Sequence, residues 1–158
     1  MPKRSGVLTG TAGVYHVASQ LAQQGFHAAV TFGNAPSVDI LVASRDGAST
    51  ISLQVKTSQW ALRTRGRGRN KQPHHYEWDV GEKSAKLNHP GLFFAFVDLK
   101  VGGDEVPDVF FVPSKQIREY FKRFETLSRW RWHPRIEEIE GHKNNWNTLR
   151  DRLNKADS

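Results

Sequence analysis

The chain has 158 residues, 37% of them hydrophobic and 11% aromatic, enough for one ordinary buried core but not for two comfortable domains. It contains no cysteine, which excludes disulfides, thiolate metal sites and a cysteine nucleophile and leaves oxygen or imidazole to hold any metal. Its formal charge of +7 favours polyanionic partners, and the lack of an apolar run of signal-peptide or membrane-span length leads to the expectation of a soluble, cytoplasmic protein with no membrane partner.

Thr11 to Gln24 reads as an amphipathic helix, because Val14, Val17, Ala18 and Leu21 recur on one face, while His16, Ser19, Gln20 and Gln23 lie elsewhere. Thr9 or Thr11 is placed to cap it, and Gly25 to end it in a left-handed conformation. Two apolar runs, Phe26 to Phe32 and Val38 to Ala43, read as strands separated by a bend at Gly33-Asn34-Ala35-Pro36. The Asp46-Gly47 pair signals a tight turn into Thr50 to Thr57. In this third strand Ile51, Leu53 and Val55 face one way, and Ser52, Gln54 and Lys56 the other.

From Trp60 to Trp78 the periodicity fails, and Arg63, Arg65, Arg67, Arg69 and Lys71 alternate mostly with Gly, Thr and Asn. Residues 61–77 are therefore expected to form a mobile basic loop. Lys83 and Lys86, in a short helical or turn segment, extend the basic surface. Gly91 to Leu99 reads as a central strand, Gly102-Gly103 as a turn, and Asp108 to Val112 as its partner strand ended by Pro113. Ser114 is expected to cap a helix with Ile117, Tyr120, Phe121 and Phe124 as its buried stripe. Residues 142–155, with Trp146, Leu149 and Leu153 on one face, form a last helix packing on the core. This order of elements describes a single α/β domain with a mixed central β-sheet flanked by helices.

If Asp46 and Gly47 are the central turn residues, Arg45 faces Ala48, and counting outward brings Asp39 opposite Gln54 with Lys56 one pleat further. A carboxylate, an amide oxygen and an ammonium then lie within roughly 5 to 8 Å of one another. Oxygen ligands of this kind suit Mg²⁺, and a lysine beside them can orient or deprotonate a water or neutralise charge developing on a phosphate.

The helix ending at Gly25, the segment Gly33-Asn34-Ala35-Pro36-Ser37-Val38-Asp39-Ile40-Leu41-Val42, the hairpin, and Leu53-Gln54-Val55-Lys56-Thr57-Ser58 together resemble the core of the PD-(D/E)XK, or restriction-endonuclease-like, superfamily, especially its Holliday-junction-resolvase-like branch. The resemblance implies a restriction-endonuclease-like core and a Mg²⁺- or Mn²⁺-dependent endonuclease acting on DNA in preference to RNA. By that resemblance Asp39, Gln54 and Lys56 are the catalytic trio, with Asp39, Gln54 and the carbonyl of Val55 as metal ligands. It also leaves a homodimer open. Three departures stand out: Pro36 lies two residues too early for a literal Pro-Asp pair, Gln54 replaces the usual acid, and Val14 occupies the helix position where many resolvase-like members carry a glutamate. Completion of the ligand set then falls to the substrate phosphate or to accessory residues such as His16 or Gln20.

Plainer readings stand beside these. Asp39, Gln54 and Lys56 could form an ordinary solvated strand face, and His16 and Gln20 plain helix surface. His74-His75 has the wrong spacing for one metal site on a regular strand or helix, and Trp130-Arg131-Trp132-His133 is better suited to burial than to base stacking. The segment Arg63, Arg65, Arg67, Arg69, Lys71 suits a phosphate backbone. Set against the nuclease are an inactive nucleic-acid-binding module of the same fold and an interaction protein whose basic loop recognises an acidic partner.

Overall fold

Alternation along the central strands sends apolar side chains to both sides of one sheet, and two separate cores result. A computed structural model of the chain describes residues 5–32, 37–124 and 129–155. The expected bend at Gly33 to Pro36 lies outside these residues.

Helix α1 spans Gly6–Gln23 and starts well before Thr11; Ser5 caps it by accepting the Leu8 N–H. Its apolar stripe is weak at the start, with Val7 and Leu8 exposed, which is why periodicity alone misplaces the beginning. Thr9, expected as a cap, is instead buried and meets the side-chain amide of Gln59 at 3.1 Å. Gly25, at φ +88°, ends the helix as expected. Strands β1 (His27–Val30), β2 (Ile40–Ala43) and β3 (Thr50–Ser58) follow as an antiparallel meander. Asp46 accepts from the Ser44 hydroxyl and the Ala48 N–H, and these two bonds hold its carboxyl below the ordinary range.

The region expected as a loop without regular structure instead forms a ribbon. β4 (Leu62–Arg65) pairs antiparallel with β5 (Gln72–Tyr76) across a bulge and a 3₁₀ turn at Gly68–Asn70. Then come β6 (Trp78–Asp79), the short helix α2 (Glu82–Ala85), β7 (Leu92–Asp98), β8 (Asp108–Pro113) and α3 (Ser114–Arg123). Ser114 does not cap α3; Pro113 holds that position, while the Ser114 hydroxyl donates to the His89 carbonyl and accepts its N–H. β9 (Arg131–Trp132) pairs with β6, and α4 (Ile136–Ile139) and α5 (Asn147–Lys155) complete the chain. The last helix begins later than residue 142 because a 3₁₀ turn and Asn144, at φ +49°, precede it. Asn144 instead extends the edge of β8, exchanging bonds with the backbone of Val109.

The main sheet runs β1-β2-β3-β7-β8, with β3 and β7 parallel and the other neighbours antiparallel, so the expected mixed α/β architecture is present. On one side α1 and α5 cover Ile51, Leu53, Val55, Phe93, Ala95 and Val97, and Leu149 and Leu153 reach this core as anticipated. On the other, Phe94, Phe96 and Phe110 pack with Tyr76, Trp78 and Trp132. The Trp78 indole N–H donates to the Val97 carbonyl at 2.9 Å, removing the main cost of burying that ring. Close docking of α1 depends on Gly13: a Cβ there would overlap the Thr57 side chain, whose own Cβ would lie 2.9 Å away.

Candidate active site

β2 and β3 pair in the expected register, Ile40 with Leu53 through Ala43 with Thr50. Asp39 stands at the end of this ladder. Its N–H donates to the Leu53 carbonyl at 2.8 Å, and its Oδ2 accepts the N–H of Val55 at 2.7 Å. Its own carbonyl accepts the Thr31 N–H at 3.0 Å. The acid is thus fastened from both neighbouring strands, a placement that needs a short polar side chain where the backbone ladder stops.

Gln54 and Lys56 occupy the face of β3 opposite Ile51, Leu53 and Val55, beside Phe94 and Phe96 of β7. That face is not an open solvated surface, because β6 runs against it and both residues are partly buried. Oε1 of Gln54 is buried and has no hydrogen-bond donor among the described residues, an expensive condition for an amide oxygen. Burial also pushes the Lys56 amine below the ordinary lysine value, a shift opposed by the carboxylates of Asp39 and Asp79. Asp39, Gln54 and Lys56 are therefore gathered at one end of the β2–β3 pair, and Val55 joins them through its N–H.

Asp79 was missed in the sequence. The alternation Tyr76, Trp78, Val80 against Glu77 and Asp79 was the available strand signal, hidden by its position after the basic segment. A recess of about 200 Å³ beside Asp39 is lined by Thr11, Val14, Tyr15, Val30 and Thr31. Val14 thus faces Asp39, as the helix register implied. His16 and Gln20 lie on the other flank of α1 and do not line this recess; burial holds His16 below the ordinary imidazole value.

Arg63, Arg65, Arg67, Arg69 and Lys71 are all exposed along the β4–β5 ribbon. Arg63 meets Glu77 at 3.7 Å. Gly66 lies against the Asn70 backbone at φ +112°, a position closed to any side chain, so the basic tip is shaped as well as charged.

No protein-family model and no curated sequence matches the chain. No helix among the described residues is long and apolar enough to cross a membrane. The solved structure of a bacterial homing endonuclease, I-Ssp6803I, aligns with 97% of this chain and 94% of its own, with a TM-score of 0.59 and 14% sequence identity. The chain thus shares the fold of a nuclease along nearly its whole length.

Proposed function

We propose that the protein is a metal-dependent endonuclease of the PD-(D/E)XK superfamily, hydrolysing phosphodiester bonds in DNA at Asp39, Gln54 and Lys56. The carrying observation is the buried Oε1 of Gln54 in the middle of β3, without a donor among the described residues, across from an acid and two residues from a lysine held below its ordinary value. An acceptor in that state is matched to a cation, and oxygen from an amide and a carboxylate suits a hard divalent ion.

Asp39 and Gln54 would hold Mg²⁺ or Mn²⁺. When bound, such an ion polarises the phosphate and acidifies water. Val55 fixes the Asp39 carboxylate by engaging Oδ2, so the acid enters the reaction already oriented. Lys56, whose burial favours the neutral amine more than usual, would accept the proton of the attacking water in its neutral form or, as an ammonium, balance charge on the phosphate. The ribbon carrying Arg63, Arg65, Arg67, Arg69 and Lys71 supports DNA as substrate, since a two-stranded ribbon fits the major groove and its cations meet phosphates.

A second reading, a DNA-binding module without hydrolysis, draws on Val14: among the described residues lining the recess, Asp39 supplies the one carboxylate. Incubation with linear and branched DNA in Mg²⁺ or Mn²⁺ separates the two. The nuclease predicts cleavage that Asp39→Ala lowers on the order of 10²–10³-fold, the usual loss for one preorganised electrostatic group. Salt-sensitive binding without cleavage in either metal selects the module.

A further inference from the structure

At the base of the ribbon a second polar cluster joins three parts of the chain that are remote in sequence. His75 lies next to the end of β5, Glu77 links β5 to β6, and His133 follows β9. One ligand atom from each lies within 4.8 Å of the others. The imidazoles of His75 and His133 stack at 5.6 Å between centroids and 10° between planes, and His133 Nε2 stands 3.9 Å from Glu77 Oε2. Arg63 and Arg131 both approach the other oxygen, Oε1, at 3.7 and 3.3 Å, which leaves Oε2 turned to the histidines.

We propose that His75, Glu77 and His133 form a transition-metal site, best matched to Zn²⁺, that staples the basic ribbon to the segment after β9. Two imidazoles and a carboxylate are a recognised zinc donor set that keeps a fourth place for water. Bonds of about 2.0–2.1 Å around a tetrahedral ion set ligand atoms about 3.3 Å apart, so side-chain rotation of roughly an ångström closes the cluster.

A neighbour supplies the outer support that metal-bound histidines use. His74 Nδ1 and His75 Nδ1 share a hydrogen bond of 2.9 Å, which occupies that nitrogen and leaves Nε2 of His75 for the ion. The backbone is already aligned for the staple: Tyr76 donates to the Pro134 carbonyl at 2.9 Å, and His75 bridges to Arg135.

The site is separate from Asp39, Gln54 and Lys56, and the test keeps them apart. Tag-free protein dialysed against chelator is titrated with ZnCl₂ by calorimetry, and loaded in parallel with Co²⁺ for visible spectroscopy. The proposal expects one zinc per chain, intense four-coordinate cobalt bands, and the same behaviour in Asp39→Ala. His133→Ala, at a residue whose side chain is 44% exposed, is expected to weaken zinc at least tenfold with an unchanged circular dichroism spectrum. A cobalt spectrum equal to that of the free six-coordinate ion overturns the proposal through the wild-type chain alone. So does zinc binding that His133→Ala leaves intact or Asp39→Ala abolishes.

Discussion

The two polar clusters differ in how the chain assembles them. Asp39 and Val55, which it engages, lie 16 positions apart and meet through a tight hairpin. Glu77 and Arg131 lie 54 positions apart and meet because β6 and β9 pair above an aromatic core. A short turn sets cross-strand partners by arithmetic, so the first cluster can be counted out from Asp46 and Gly47. The second depends on two distant segments finding the same face, and no spacing rule connects them. Local pairing makes a site legible; nonlocal packing makes it invisible until the core is known.

The largest effect is expected where the nonlocal side is broken. Trp78 is 1% exposed and packs against Tyr76, Phe96, Phe110 and Trp132. Trp78→Ala should cost about 3–5 kcal/mol in denaturant unfolding. Because both cores share one sheet, the loss should appear as one cooperative transition. A separate early transition confined to the ribbon would mean that the two sides are less coupled than their common strands imply.

A smaller loss is expected on the hairpin side from Gly13→Ala. Overpacking costs about 1–3 kcal/mol, against about 1 kcal/mol gained in helix propensity. Adding Thr57→Ala should recover part of the loss, because it removes the hydroxyl and methyl that the new Cβ meets while the Thr57 Cβ stays, and Thr57 Oγ1 has no hydrogen bond among the described residues to forfeit. A double-mutant cycle showing no coupling would place the close contact elsewhere.

The smallest effect tests the lysine. Its folded value lies below the ordinary 10.5, so the charged form opposes folding at pH below the folded value, and this penalty disappears as pH climbs towards 10.5. Lys56→Met should therefore raise the melting temperature at neutral pH, with an advantage that shrinks as the solution becomes alkaline, while abolishing any cleavage. A melting temperature lowered at neutral pH would show the amine to be a structural ion-pair partner of Asp39 and Asp79 instead.

Particular residues show where sequence reading succeeds and where it stops. Gly25 and the alternation of Ile51, Leu53 and Val55 carry local signals that act in the fold as implied, whereas the hairpin keeps the expected register with a different turn: Gly47 donates to the Ser44 carbonyl, so Arg45 and Asp46 are central and Gly47 follows at φ +75°. Ser5 as the cap of α1 was hidden because Val7 and Leu8 bury nothing, and Ser114 was misread because its hydroxyl is engaged by His89. The ribbon escaped notice because its arginines and glycines have no strand propensity. Tyr76 and Trp78 draw its base into the second core, and Glu77 donates its N–H to the Ala61 carbonyl.

The amino-acid sequence by itself determined the hairpin register, and with it the meeting of Asp39 with the strand of Gln54 and Lys56, because a tight turn leaves the pleat no freedom. Only the tertiary structure decided that this polar face lies under β6 with Asp79 close by, that Gln54 Oε1 is left without a donor among the described residues, and that His75, Glu77 and His133 converge. Those outcomes follow from burying aromatic rings on both faces of one sheet, a demand the whole chain meets together and no short segment records.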